Sequence, residues 1–378
     1  MHEELVHRLW VNVGSVIEEA DDIHEGTDVA VVRSEKANPI VSQIAAEASS
    51  AKGASVTQHV YPSFDEWRDD LTLPDPLHSA IRNCDVLVSH PYLSAAQFQW
   101  SKTVFGAMMD HGVNHISFSP SAQVLAGPVL EWPHELAVTV AGTLADRLFG
   151  ADREFHITDE RGTDLRLVGA RELTHPTPPS QLQADQPALG PDESPWGNLL
   201  RIYPTGEIGW HPFDSAEGTF VVDGMDGYGV LDEPITWHIE DGALIDVTGG
   251  RIARHFSRMI ERHATPNSKH YLAEASFGFN PKCIWDPTRR GLAGLLPMAG
   301  TFHVAMGIST NKAIPPAANH THIDALNKSP TVTIDGEVIM EDGTLSLLDE
   351  LRQNDQVRSV AEKYGDADEL LSEGSTDW

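Results

Sequence analysis

The chain has 378 residues, of which 26 are Lys or Arg and 56 are Asp or Glu, so its formal net charge is −30. An excess of acidic residues argues against binding to nucleic acids or to an anionic membrane surface, since both attract basic patches. No apolar run is long enough to cross a bilayer, and a length of 378 residues favours two domains.

The acidity has two interpretations, which the sequence leaves open. One is adaptation to high salt, where a strongly acidic surface stays solvated and its self-repulsion is screened. The other is an ordinary acidic protein with charged loops. The acidic start of the chain lacks the basic region of a secretion signal. Two cysteines, Cys84 and Cys283, do not make a disulfide framework, so we expect a cytoplasmic protein.

The first third of the chain alternates apolar strands with helical segments. Strands are predicted at 28–33, 54–61, 83–89 and 113–118, and a helix at 39–52. Such alternation predicts an α/β domain with a mostly parallel sheet covered by helices. No Gly-x-Gly-x-x-Gly motif follows the first strand, so a dinucleotide site has little support.

The pattern changes after an apolar helix predicted at 135–149. Turn signals predict antiparallel hairpins centred near residues 160–162, 240–242 and 335–336. The remaining predicted elements are a surface loop at 172–198, a basic amphipathic helix at 251–263, a terminal helix at 345–364 and a frayed tail to Trp378. We therefore predict an α/β N-terminal domain at 1–135, an α+β metal-binding catalytic domain rich in antiparallel hairpins at 136–344, and a C-terminal helix with an acidic tail at 345–378.

The residues with the clearest chemistry are His320, His322 and Asp324, which occupy alternate positions. Alternate residues of a strand face the same side, and burying two imidazoles beside a carboxylate is costly unless a cation joins them. A His-x-Asp pair offers a divalent metal two ligands from one strand. The alternative is a surface histidine and a turn-capping aspartate. Three further candidate ligands lie upstream, at Glu207, Glu274 and His303, and His211, Glu217 and His270 carry weaker signals.

Short motifs in a shared order carry a family resemblance over roughly residues 136–339. They lie at 157–165, 203–207, 216–219, 239–242, 273–281, 302–307 and 322–324. By these motifs the chain resembles the thermophilic metallo-aminopeptidases and their relatives, the 2,5-dihydroxypyridine 5,6-dioxygenases. The resemblance implies a homodimer, and the N-terminal part is compatible with the family's α/β domain.

The resemblance implies different metal centres for the two branches. In the aminopeptidase branch, the positions matching Glu207, Glu274, His303, His322 and Asp324 build a two-metal hydrolytic site, and all five hold ligand-type residues here. In the dioxygenase branch, one iron sits on a histidine at the position of Glu274 and on the His-x-Asp pair. The positions of Glu207 and His303 are apolar in that branch. Ligand identity thus places this chain with the hydrolases.

Other features depart from the peptidases. Their catalytic tyrosine is missing, Thr310 stands near its place, and the segment between His303 and His322 is shortened. The segments at 214–219 and 331–336 look closer to the ring-cleaving branch. No family position corresponds to His320, which we expect to face the substrate, to support a ligand, or simply to be exposed.

We therefore expect a metallohydrolase that acts on an amide or peptide-like small substrate. Two Zn, Co or Mn ions would activate a water molecule, and Glu207 or Glu274 would take its proton. The alternative is a mononuclear non-haem Fe(II) dioxygenase that opens a hydroxylated pyridine or a related aromatic ring. A third interpretation is a binding or scaffold protein without catalysis, for which the missing tyrosine is the only support.

Overall fold

Strands dominate the computed structural model, which describes residues 2–62, 73–91, 104, 107–108, 110–148, 153–168, 172–174, 200–211, 215–263, 270–285, 292, 294–307 and 322–372. The strands are β1 (Asp28–Ser34), β2 (Ser55–Tyr61), β3 (Val86–His90), β4 (Asn114–Phe118), β5 (Glu154–Thr158), β6 (Asp164–Val168), β7 (Glu172–Thr174), β8 (Leu200–Tyr203), β9 (Glu207–His211), β10 (Ser215–Met225), β11 (Gly229–Glu240), β12 (Ala243–Thr248), β13 (His270–Gly278), β14 (Phe302–Gly307), β15 (His322–Asn327), β16 (Thr331–Ile334), β17 (Glu337–Glu341) and β18 (Thr344–Leu345). The α-helices are α1 (His2–Glu19), α2 (Pro39–Ala51), α3 (Asp75–Arg82), α4 (Ala122–Leu125), α5 (His134–Leu148), α6 (Arg251–His263), α7 (Leu347–Gln353), α8 (Asp355–Ala361) and α9 (Ala367–Leu370).

A parallel sheet with the strand order β2-β1-β3-β4-β8 forms the N-terminal part of the fold. Helices cover both of its faces, because residues of β1 and β3 alternate between two apolar cores. Val31 and Val88 pack under α1 and α2, whereas Val32 and Leu87 pack against α3. This arrangement confirms the predicted α/β architecture. Helix α1 was not predicted, although its buried side chains recur with helical spacing.

A second, antiparallel sheet follows, and it confirms the predicted α+β architecture rich in hairpins. Its strands β10 to β15 pair in sequence, and β15 pairs back with β10, so that the six strands close into a ring. Strands β6, β5, β16, β17 and β18 extend the sheet outward from β10. Helix α5, predicted at 135–149, packs its apolar residues into the core of this sheet.

Strand β8 joins the two sheets. It pairs in parallel with β4, and only residues 204–206 separate it from β9 in the antiparallel sheet. Asn280 Nδ2 donates to Thr205 O at 2.7 Å, and Phe279 N donates to Gly206 O at 2.7 Å. A Cβ at Gly206 (φ +126°) would lie 2.3 Å from Asn280 Cβ, so this crossing requires glycine. The crossing therefore places β9 at the junction of the two sheets.

Two predictions in the second half need correction or fall outside the described residues. Part of the predicted loop at 172–198 is strand β7, and 175–199 lie outside the described ranges. The prediction of a single helix at 345–364 is wrong, because the structure has two helices there that meet at Asn354. Asn354 ends α7 and caps α8: its Oδ1 accepts hydrogen bonds from Gln356 N and Val357 N. The predicted domain limits stay a prediction, as does the frayed tail beyond residue 372. No described helix is long and apolar enough to cross a membrane.

Candidate metal centre

Four neighbouring strands, β9, β13, β14 and β15, build the candidate centre. The opposite side of the last three is apolar, with Phe277, Val304 and Ile323 buried in the core. The polar side chains of Glu274, His303 and Asp324 come from the other positions of the same strands. Strand alternation thus separates the core from the candidate ligands.

The side chains of Glu207, Glu274 and His303 converge. One ligand atom from each lies within 4.8 Å of the other two. His303 Nε2 is 3.0 Å from Glu207 Oε1 and 3.8 Å from Glu274 Oε1. Two ligands bonded to one ion at about 2.1 Å lie about 3 to 4 Å apart. These three predicted ligands are therefore close enough together to share a divalent cation.

Asp324 lies beside this trio. In the β-ladder Asp324 pairs with Ala305, and Ala305 pairs with Glu274. The two carboxylates therefore come from the strands on either side of β14. Its side chain is buried, and its charge contributes to raising the pKa values of Glu207 and His303. The backbone of His322 pairs with Gly307. The side chain of His322, together with His320 and Thr310, lies outside what the structure describes, so the ligand role of His322 stays a prediction.

An irregularity in β13 sets the direction of Glu274. Leu272 pairs with Met306, but Glu274 pairs with Ala305, which leaves Ala273 as an extra residue in the ladder. An extra residue moves the following side chains to the other face of the sheet. Leu272 therefore packs in the core while Glu274 faces His303. A strictly alternating strand would have put the two residues on one face.

Ser276 and Gly209 support Glu274, and neither was predicted. Ser276 Oγ donates to Glu274 Oε1 at 2.9 Å, and Ser276 is fully buried. Gly209 pairs with Ser276, and a Cβ there would lie 1.9 Å from Ser276 Oγ and 3.0 Å from Glu274 Oε1. The only sequence signal for Ser276 is its position two residues after a candidate ligand.

The electrostatics of the cluster favour a cation. Burial raises the pKa of Glu207, as do the charges of Glu274 and Asp324, while His303 opposes that shift. Burial alone would lower the pKa of His303, but Glu207 and the other carboxylates outweigh it and raise that pKa to about 10. A buried group of carboxylates is costly without positive charge. In the absence of metal, a protonated His303 supplies part of that charge, and a divalent ion would supply more. The residues present thus fit a divalent metal with oxygen and imidazole ligands.

The weaker candidates do not join the cluster as far as the structure describes them. Glu217 accepts a hydrogen bond from Asp241 N at 2.7 Å and thereby caps an exposed turn. Cys283 is buried beside Val124 and Val129, as expected for a small apolar residue. The side chains of His211 and His270 are not among those described.

Comparisons with known proteins complete the description of the site. The sequence model of the family NicX, 2,5-dihydroxypyridine 5,6-dioxygenase, matches residues 15–347. A solved structure of the 2,5-dihydroxypyridine dioxygenase from Pseudomonas putida KT2440 is similar at 18% identity, with a TM-score of 0.65 over 93% of this chain and 98% of that one. Wild-type AmpT from Thermus thermophilus is similar at 14% identity, with a TM-score of 0.61 over 90% of this chain and 99% of that one. No curated protein sequence matches the chain.

These matches confirm the resemblance to both groups of relatives that the motifs indicated. At such low identity the two structural matches show the fold alone. The family match favours the dioxygenase alternative. The expected hydrolase function is supported here only by the similarity in fold to AmpT. All five predicted ligands fall within the matched residues.

Proposed function

Since the chain belongs to the 2,5-dihydroxypyridine 5,6-dioxygenase family, we propose that it is a metal-dependent dioxygenase that opens a hydroxylated pyridine or a related aromatic ring. The observation that carries the proposal is the family match over residues 15–347. The cluster of ligand-type side chains at the junction of the two sheets supports it. A small-molecule substrate, a homodimer and a cytoplasmic location belong to the same proposal.

In this function, Glu274, His322 and Asp324 would hold the metal. A bound Fe(II) would supply a redox-active centre for the reaction of dioxygen with the ring. Ser276 fixes the carboxylate of Glu274 by its hydrogen bond of 2.9 Å. Glu274 stands where the dioxygenase branch has a histidine, so this chain offers iron two carboxylates and one imidazole.

Glu207 and His303 then have a different role from the ligands. They form a pair with 3.0 Å between Oε1 and Nε2, in which His303 is buried and Glu207 is 14% exposed, where the dioxygenase branch has apolar residues. This pair can hold a proton next to the metal and exchange it with a hydroxyl group of the substrate. The pair, like Glu274, distinguishes this chain from the ring-cleaving branch it resembles.

The test combines metal analysis with oxygen consumption. Protein purified without chelator and loaded anaerobically with Fe(II) is mixed with 2,5-dihydroxypyridine and with a panel of other dihydroxylated pyridines. We expect one iron per chain, and one dioxygen consumed for each ring whose ultraviolet absorbance is lost. No oxygen uptake with any ring, from protein that holds one iron per chain, would refute the proposal.

The second candidate is the metallohydrolase expected from the sequence. The observation in its favour is the carboxylate-rich donor set of Glu207, Glu274 and Asp324 with His303, because three carboxylates can offset most of the charge of two divalent ions. In that function all five predicted ligands would bind two metals that activate a water molecule.

Two variants separate the candidates. In the dioxygenase, Glu207→Gln and His303→Ala keep one metal per chain and lose rate. In the hydrolase, each variant retains at most one of two metals. An exposed substitution, Glu217→Gln, serves as the control, since Glu217 only caps a turn.

A further inference from the structure

The motif at 157–165 is one of the family markers, yet it contributes no predicted metal ligand. The structure places it in the turn between β5 and β6, where Asp159, Arg161 and Thr163 contact β10 and the end of β15. Strand β15 carries Asp324 and His322. The motif therefore contacts the strand that holds two of the predicted ligands.

Strand β15 needs such support on one side. It pairs with β14 along all six of its residues. On the other side, where the six-stranded ring closes, its ladder pairs with β10 are Ala325 and Leu326, and Asp226 N, just after β10, donates to Asp324 O at 3.0 Å. The ladder between β10 and β15, which we call the seam, is thus short. It begins one residue after Asp324 and three residues after His322.

Side chains complete the seam. Asn327, the last residue of β15, is fully buried. Its Nδ2 donates to Asp159 Oδ2 at 2.8 Å, Thr163 Oγ1 at 3.0 Å and Val221 O at 3.0 Å. Its Oδ1 accepts from Arg161 Nη2 at 3.2 Å. Each polar atom of this buried amide is therefore satisfied, which fixes its position.

Arg161 links the turn to β10. Its guanidinium donates to both carboxylate oxygens of Asp223, which is buried on β10, and to Asp159 Oδ2 at 2.8 Å. Asp223 Oδ2 also accepts from Lys328 N at 2.8 Å, directly after β15. Burial would raise the pKa of Asp159, but hydrogen bonds from Thr163 and Asn327 and the charge of Arg161 lower it to about 2. Asp159 therefore stays ionised and keeps its charge-assisted hydrogen bond with Arg161.

We propose that Asp159, Arg161, Asp223 and Asn327 form a clamp that positions β15 so that Asp324 and His322 can bind metal. These four are positioning residues, because they act on the metal ligands through β15. The inference rests on the metal-binding part of the proposed function and not on the reaction. Groups that orient metal ligands typically change metal affinity by about 10- to 100-fold when removed.

The test is metal affinity, measured by competition with a chelator, for Arg161→Gln and Arg161→Lys. Lysine keeps the charge but cannot make the forked pair with Asp223. We expect the dissociation constant of Arg161→Gln to rise at least about tenfold, with a smaller rise for Arg161→Lys. The visible spectrum of the Co(II)-loaded protein should change in parallel, because the ligand geometry changes.

Arg166→Gln is the matched control. Arg166 lies in the same hairpin and pairs with Glu154, but that pair is exposed and does not touch β15. We expect its metal affinity to stay within about twofold, as for most surface ion pairs. A lower melting temperature in Arg161→Gln with unchanged affinity and Co(II) spectrum would show a purely structural role and overturn the proposal.

Two further results are decisive. Should Arg161→Gln fail to fold, Arg161→Lys carries the test, and wild-type affinity in that folded variant overturns the clamp. If the wild-type protein binds no metal, the metal-binding premise itself fails and the clamp fails with it. A wild type that binds metal and a Gln variant that binds it equally well refute the clamp alone.

Discussion

Substitution of Gly209 by alanine tests whether Glu274 is held in place by its neighbours. The new Cβ would lie 1.9 Å from Ser276 Oγ, 3.2 Å from Ser276 Cβ and 3.0 Å from Glu274 Oε1. The first distance is far shorter than any tolerable contact, so Ser276 must move, and the hydrogen bond it donates to Glu274 must break or bend.

Three effects set the magnitude, two destabilising and one stabilising. Overpacking a buried site costs about 1–3 kcal/mol, whereas replacing glycine stabilises by about 0.4–1 kcal/mol through the unfolded chain. The lost hydrogen bond costs about 0.5–1.5 kcal/mol more. We therefore expect Gly209→Ala to lose about 0.5–4 kcal/mol of stability, and metal affinity to fall about tenfold or more.

The assay is a double-mutant cycle followed by thermal unfolding and chelator competition. Ser276→Ala removes the atom at 1.9 Å, so the double variant Gly209→Ala with Ser276→Ala should regain stability relative to Gly209→Ala, with a coupling of about 0.5–3 kcal/mol. Gly365→Ala is the control, because its Cβ would meet only Leu370 Cδ1 at 3.7 Å. Wild-type stability in Gly209→Ala, or no recovery in the double variant, would refute this reasoning.

Three further predictions follow from the site and from the charge. Asp324→Ala and His322→Ala should each lose bound metal and activity while keeping the fold; full occupancy by metal analysis with normal turnover would exclude them as ligands. Between pH 7.5 and 9 an ordinary histidine is already neutral, but His303, with a pKa raised to about 10 in the metal-free protein, stays protonated. Metal affinity in that range should therefore change little with pH if His303 only holds a proton; a tenfold rise per pH unit would mean that metal displaces its proton, and would favour the hydrolase. Finally, the melting temperature of the metal-saturated protein should rise with KCl, because the Debye length falls from about 30 Å at 0.01 M to about 3 Å at 1 M and the chain carries a charge of −30. A flat or falling melting temperature would show that its acidic residues are too dispersed to repel one another strongly.

Much of the fold could be read from local patterns. Apolar runs between turn residues predicted β1 to β4, and turn residues such as Asp335-Gly336 predicted hairpins that the structure contains. These features depend on residues close in sequence, whose alternation or turn chemistry acts wherever the segment lies in the fold. Helix boundaries were less certain: Asn354 could continue a helix or cap one, and the structure shows that it caps.

The candidate site was predicted residue by residue but not as an arrangement. Ligand chemistry singled out Glu207, Glu274 and His303, and the structure brings them together. Strand periodicity gave no sign of the extra residue Ala273, which turns Glu274 away from the core. A bulge depends on how two strands distant in sequence fit together, and no local pattern encodes that fit.

The sequence by itself determined the residue types: a strongly acidic chain, short amphipathic strands, and carboxylates and imidazoles at positions able to bind metal. The tertiary structure decided which strands are neighbours. It placed β8 in the parallel sheet and Glu207 just beyond it, and it set Asn327 and Arg161, 166 residues apart, in one buried network. Contacts over such separations form only when burial of the whole core offsets the entropy lost in closing long loops. The site is therefore a property of the packed sheets, although each of its ligands is visible in the sequence.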